Sequence, residues 1–381
     1  MLKVSQRGHV SPFFAMEVLK AANERAAAGD DVLHLEVGEP STGAPQAVIG
    51  HAQDLMNDTH LGYTEALGIL PLRQAIAAHY ATCYEIEIDP ERVVVTMGSS
   101  GAFLLAFTAA FDAGDRVAIA TPGYPAYHNI LTAVGIEPVI LESGPEHRFQ
   151  PTPALLDKVP GKLDGLMVAS PANPTGTMVV GEALEQLVAY CRERGIRFIS
   201  DEIYHGISYD VPAESVLGLT NDAIVINSFS KYFCMTGWRL GWMVLPEDLL
   251  RPIECLAQNM FVSPSALSQH AATRVFDCRD ELDANVARYA ENRRVLLEEL
   301  PIAGFDRLAP ADGAFYIYAD IRKLANDSIE FCKRLLSETG VAATPGIDFD
   351  RDRGNGYMRF CFAGSTENIQ AASRRISEWL R

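Results

Sequence analysis

Five segments of the chain place residues able to hold or activate a flat, anionic ligand directly after runs of apolar residues. After the run Arg-Val-Val-Val-Thr (92–96) come Gly98, Ser99 and Ser100. Backbone N–H groups at a helix start free of bulky side chains can cradle a phosphate, although Gly/Ser turns precede helices in many folds. After 116–120 comes Tyr124 between two prolines, either a packed turn residue or a platform for a heteroaromatic ring. After 165–169 comes Asn173, a turn former whose amide could instead serve a ligand oxygen. After 197–200 come Asp201 and Tyr204. A carboxylate closing a buried strand is costly unless paired; the plain alternative is a helix N-cap. After 223–227 come Ser228, Ser230 and Lys231, then a stretch rich in aromatics that contains Arg239. A lone loop lysine is ordinarily solvated, but that composition is not one of a solvent-facing loop.

These residues need a scaffold that gathers strand ends. Short apolar runs at 92–96, 116–120, 138–141, 165–169, 197–200, 223–227 and 240–244 alternate with helical stretches at 67–80, 101–111, 127–134 and 181–194. Wholly apolar strands separated by helices predict an α/β fold, a mostly parallel sheet covered by helices on both faces. In such sheets the ligand crevice lies beyond the carboxyl ends of the strands. From residue 283 the pattern changes to a long charged helix, a strand in Gly-Ala-Phe-Tyr-Ile-Tyr, a helix over 328–339 and a strand in Gly-Tyr-Met-Arg-Phe-Cys-Phe. That reads as a smaller α+β domain. The expected division is an arm with part of the small domain (1–40), a large ligand-binding domain (41–282) and a small C-terminal domain (283–381).

A chain of 381 residues, 48% apolar, can bury one large core and a smaller one. A net charge of −17 argues against nucleic acid or an anionic membrane as partner. The N-terminal stretch has no apolar signal-peptide core, and the longest apolar run, 101–111, is too short to span a bilayer. A soluble, cytoplasmic protein is expected. Seven scattered cysteines without a Cys-x-x-Cys pair give no metal site or disulfide framework.

Taken in order, these segments resemble the class I/II aminotransferases of pyridoxal-5′-phosphate (PLP) fold type I, of the aspartate aminotransferase kind. The resemblance covers about 37–363, and its most specific part is 228–242, S-x-S-K…M-T-G-W-R-x-G-W. It implies that Lys231 carries PLP as a Schiff base and moves the substrate α-proton. Asp201 would pair with the pyridine nitrogen, Asn173 and Tyr204 with the phenolic oxygen, and Tyr124 would stack on the ring. Gly98, Ser99, Ser100, Ser228, Ser230 and Arg239 would hold the phosphate. Tyr63 matches the tyrosine that a neighbouring subunit lends to that site, which implies a homodimer with shared active sites. Arg359, costly inside an apolar strand without an anion, would hold the substrate carboxylate, with Asn173 and the Gly38 backbone beside it. The implied activity is amino transfer from an L-amino acid to a 2-oxo acid, 2-oxoglutarate being the acceptor expected of the family.

Some positions depart from the family pattern. Cys234 stands where a smaller residue is usual, Ser41-Thr42-Gly43-Ala44 replaces an Asp-Phe-Asp-Thr run, and Asp350 stands where Gly is common. The loops bordering the substrate mouth are therefore the least transferable. Phe13 or Phe14 is expected either to give an apolar side-chain pocket or to anchor the arm to a partner subunit. A β-lyase, a decarboxylase or a cyclopropane-carboxylate-synthase-like enzyme would use the same lysine site. A non-catalytic PLP-binding regulator would need a basic DNA-binding module, and a nicotinamide dehydrogenase an early G-x-G-x-x-G; neither occurs.

Overall fold

The computed structural model describes residues 2–58 and 60–381. Among these residues seven strands form the central sheet: β1 Val93–Thr96, β2 Arg116–Thr121, β3 Glu137–Glu142, β4 Gly165–Ala169, β5 Arg197–Asp201, β6 Ile224–Ser228 and β7 Gly241–Val244. Their spatial order is β1-β7-β6-β5-β4-β2-β3. Only β7 runs against its neighbours; the other pairings are parallel. Every residue of β1, β6 and β7 is buried, because side chains on both faces meet helices.

Successive strand residues supply opposite cores, as the two-residue period requires. Leu166, Val225 and Trp242 join the helices Leu70–Tyr84 and Glu182–Arg194 on one face. Met167, Ile226 and Met243 join Gly98–Ala110, Pro125–Val134 and Glu247–Met260 on the other. The architecture is the α/β sandwich expected from the sequence. Two helix starts differ from the expectation. The helix expected from 101 begins at Gly98, so the Gly-Ser-Ser segment is its first turn. The helix expected from 67 begins at Leu70, where Pro71 sits in the first turn with its fixed φ and missing N–H.

A second core, with Phe315, Phe331, Phe360 and Ile376, lies under an antiparallel sheet of Thr344–Pro345, Tyr357–Cys361 and Tyr316–Asp320. The helices Arg279–Ile302, Ser328–Thr339 and Thr366–Leu380 contribute to it. Leu33 and Leu35 from the N-terminal stretch enter the same core, and Leu33–His34 pairs in parallel with Val341–Ala342. Among the described residues no helix is long and apolar enough to cross a membrane.

Candidate active site

The strand-end residues converge on a cavity of about 450 Å³. Ser99, Ser100, Tyr124, Asn173, Asp201, Tyr204, Ser230, Lys231 and Arg239 line it from the large sheet's side, and Gly38 and Arg359 from the other. Gly98 sits just behind: a Cβ there would come within 2.8 Å of Arg239 Nη2, so the glycine keeps the first helical turn and the guanidinium side by side. Ser228 is buried beneath the floor, its hydroxyl donating to the Leu240 carbonyl (3.1 Å) and lying 3.0 Å from Ser230 Oγ. Tyr63 stands apart, 89% exposed on the protein surface.

The Lys231 amine lies in this cavity and donates to the Gly38 carbonyl. Burial, with help from the Arg359 and Arg239 charges, lowers it to about 8. The unfolded value is near 10.5, so the unfolded chain holds the extra proton between pH 8 and 10.5 and this group's contribution to apoprotein stability rises across that window. The neutral amine is the reactive form. Uptake of added PLP by the apoprotein is therefore expected to accelerate about tenfold per pH unit below 8 and to level off above it. Stopped-flow absorbance would check this; a rate independent of pH between 6 and 9 would contradict it.

Asp201 is 2% exposed and both its oxygens are held. Oδ1 accepts from the Ile203 N–H (3.0 Å) and Oδ2 from the Tyr127 hydroxyl. Burial pushes its carboxyl up to about 6 against these bonds and the Lys231 charge. A carboxylate so desolvated is suited to a cationic partner. Tyr127 was not singled out in the sequence, although it lies one helical turn beyond Tyr124.

Arg359 is 2% exposed. Nη1 donates to Asn173 Oδ1 (2.8 Å), and Nη2 to the Glu36 carbonyl and Thr344 Oγ1 (3.1 Å). Its plane lies against the rings of Tyr316 and Phe349, with Cζ 4.4 and 4.8 Å from their centres. Nε is buried with no hydrogen-bond partner among the described residues. A buried guanidinium with carbonyl and amide acceptors but no counter-charge is matched to an incoming carboxylate.

The roof is the helix Phe14–Ala27, from which Ala15, Met16 and Leu19 reach the cavity, with Phe13 just before it. No cap of its own holds this helix start. Instead Asp348 accepts from the N–H groups of Phe14 (2.9 Å) and Ala15 (3.1 Å), satisfying two of the donors a helix start leaves open. Phe13 meets Tyr124 edge to face at 5.9 Å. Of the two phenylalanines considered in the sequence, Phe13 is thus the one on the cavity wall.

The donor set fits PLP: N–H groups and hydroxyls with an arginine at one end, a buried carboxylate in the middle, and a lysine of lowered basicity. Its fold and site define a fold type I PLP enzyme, and the chain belongs to the aminotransferase class I and II family, whose pattern it matches over residues 30–376. It is 50% identical to a valine–pyruvate aminotransferase of Mycobacterium tuberculosis, with 99% of this chain and 98% of the relative aligned. It superposes on the crystal structure of an aminotransferase from Mycobacterium tuberculosis with a TM-score of 0.98 at 48% identity, covering 100% of this chain and 99% of the other. The aspartate aminotransferase of Thermus thermophilus solved with maleate gives 0.93 at 30% identity over 99% and 100% of the chains. The protein is a PLP-dependent transaminase.

Proposed function

We propose that this enzyme moves the amino group of small apolar L-amino acids to a monocarboxylic 2-oxo acid, pyruvate being the preferred acceptor. The observation that carries this is the cavity's charge inventory. Among the described residues its basic side chains are Lys231, Arg239 and Arg359, and each already has a role in the reaction. The rest of the wall toward the roof is Phe13, Met16, Leu19 and Val37, and the nearby charge, Glu39, is acidic. A second carboxylate, as in aspartate or 2-oxoglutarate, finds no further cation among this protomer's described residues and would lose its hydration without compensation from them. The similarity to a valine–pyruvate aminotransferase supports the same reading, against the family-wide expectation of 2-oxoglutarate. In initial-rate assays valine with pyruvate is expected to exceed aspartate with 2-oxoglutarate at least tenfold in kcat/KM, about 1.4 kcal/mol. The reverse order would overturn the proposal.

Bound PLP supplies an electron sink for the bonds at the substrate α-carbon. The protein's part is positional and electrostatic. Lys231 Nζ, neutral above about pH 8, takes the α-proton and returns it. Asp201, oriented by Tyr127 and the Ile203 N–H, keeps a proton on the pyridine nitrogen. Asn173 offers its oxygen to Arg359, leaving its amide N–H₂ for the cofactor's phenolic oxygen beside Tyr204. The helix start at Gly98, Ser99 and Ser100, the Ser230 hydroxyl and Arg239 hold the phosphate; Ser228 acts one step back, by fixing Ser230. Tyr124 supports the ring, and Arg359 orients the substrate carboxylate with the Gly38 backbone at its side.

We also propose a homodimer in which the partner's Tyr63 completes the phosphate site. Tyr63 is exposed along with Met56, Leu70, Met97, Met260 and Val262, and the Thr64 N–H donates to Ser263 Oγ (3.4 Å), tying its loop to the segment that carries Val262. Exposed apolar residues on two segments tied together in this way fit a surface that a partner covers. Light scattering should give about twice the 41.6 kDa chain mass; a monomer with full activity would contradict it.

A further inference from the structure

Tyr316 opens the strand Tyr316–Asp320 and is 1% exposed, yet it reaches three groups of the site. Its hydroxyl is 2.6 Å from that of Tyr204, and this is the hydrogen bond that Tyr204 makes through its oxygen. Its ring centre lies 4.4 Å from Arg359 Cζ. Its hydroxyl also occupies the space where a Cβ on residue 38 would stand, 1.9 Å away, so Gly38 must be glycine while this tyrosine is in place. The carbonyl of that same glycine accepts from Lys231. The charged and titratable groups facing Tyr316 are Arg359, Cys361, Tyr204, Tyr124 and Tyr127.

Two phenols in contact hold two protons and use one in the bond between them. When the Tyr204 hydroxyl donates a hydrogen bond to the cofactor's phenolic oxygen, its own oxygen is left as an acceptor, and Tyr316 is the donor beside it. A donor bonded to an acceptor that is itself donating polarises it and strengthens the second bond. We propose that Tyr316 is a positioning residue with two separable roles: its hydroxyl sets the strength of the Tyr204 hydrogen bond to the cofactor, and its ring holds the Arg359 guanidinium at the angle that meets the substrate carboxylate. This rests on the reading that Tyr204 faces the cofactor, and the variants below keep the two apart.

Tyr316→Phe removes the hydroxyl and keeps the ring. The titration midpoint of the holoenzyme's visible absorption band is expected to rise by roughly half a unit, about a threefold change in the proton equilibrium. The dissociation constant of propionate, a carboxylate without an amino group, should stay within about twofold in the same variant. Tyr316→Leu removes the ring as well and should weaken propionate at least about fivefold. Gly38→Ala, which pushes the hydroxyl away without deleting it, should move the band in the same direction as Tyr316→Phe. Tyr204→Phe serves as the reference. A band that moves in Tyr204→Phe but in neither Tyr316→Phe nor Gly38→Ala overturns the role of the Tyr316 hydroxyl and leaves that of Tyr204 standing. A band unmoved in Tyr204→Phe overturns both. Equal propionate binding in Tyr316→Phe and Tyr316→Leu overturns the role of the ring.

Discussion

Lys231→Ala is expected to lower kcat for transamination by at least about 10⁴-fold while the protein stays folded. Among the described residues Lys231 is the one lysine lining the cavity, and the variant loses both the covalent hold on the cofactor and the base that moves the α-proton. No neighbour can take over the second task. Burial and neighbouring carboxylate or phenol charge raise Tyr204 well above ordinary phenol range, and Asp201 is spent on Tyr127 and the Ile203 N–H. Folding should not suffer, because the substitution removes an amine whose protonated form is disfavoured by burial. The checks are single-turnover kinetics with valine and the melting temperature of the apoprotein. A variant with more than about one per cent of the parent rate would contradict the assignment.

Arg359→Leu is expected to lower kcat/KM by about 10³-fold for every amino acid and oxo acid alike. Removing one partner of a buried charge pair costs about 2–5 kcal/mol, and 1.4 kcal/mol is a factor of ten. The loss should be common to all substrates, because each presents the same carboxylate here, whereas changes at Phe13 or Met16 should alter their ranking. Stability should also fall, by about 1–3 kcal/mol, since Asn173, the Glu36 carbonyl and Thr344 lose a buried donor. Arg359→Lys keeps the charge without the planar fork and should recover only part of the affinity. Steady-state kinetics with valine, alanine and pyruvate decide it. An unchanged KM in Arg359→Leu would place the carboxylate elsewhere.

Most of the large sheet was legible because its strands are wholly apolar and the residues after them are not. The runs at 92–96, 165–169 and 223–227 correspond to β1, β4 and β6 within a residue or so. The direction of β7 was not legible: an antiparallel strand in the middle of the sheet has the same buried composition as its parallel neighbours. Side chains that touch cavity-lining groups from a distant element were equally hidden. Tyr316 lies 112 residues from Tyr204, and nothing local in Gly-Ala-Phe-Tyr distinguishes it from a core aromatic. Tyr127 looked like an ordinary helix residue until Asp201, 74 residues away, was seen against its hydroxyl.

The departures from the family pattern find local explanations. Cys234 is buried with Sγ 3.5 Å from Thr42 Oγ1 and 3.6 Å from Asn285 Nδ2. Asp350 accepts from the Asp352 and Arg353 N–H groups (3.1 and 3.0 Å) and from Arg353 Nε (2.9 Å). It thus closes the turn that follows Asp348, the carboxylate that caps the roof helix. The Asp348 contact joins residues 334 positions apart, so neither end of it signals the other in the sequence.

The most direct test of the central claim is the absorption spectrum of the purified holoenzyme, recorded with L-valine alone and then with pyruvate added. The account predicts that valine alone shifts the cofactor's visible band to the pyridoxamine form once per active site, and that pyruvate restores it with one alanine formed. A spectrum unchanged by valine, or catalytic release of ammonia or carbon dioxide without pyruvate, would contradict it.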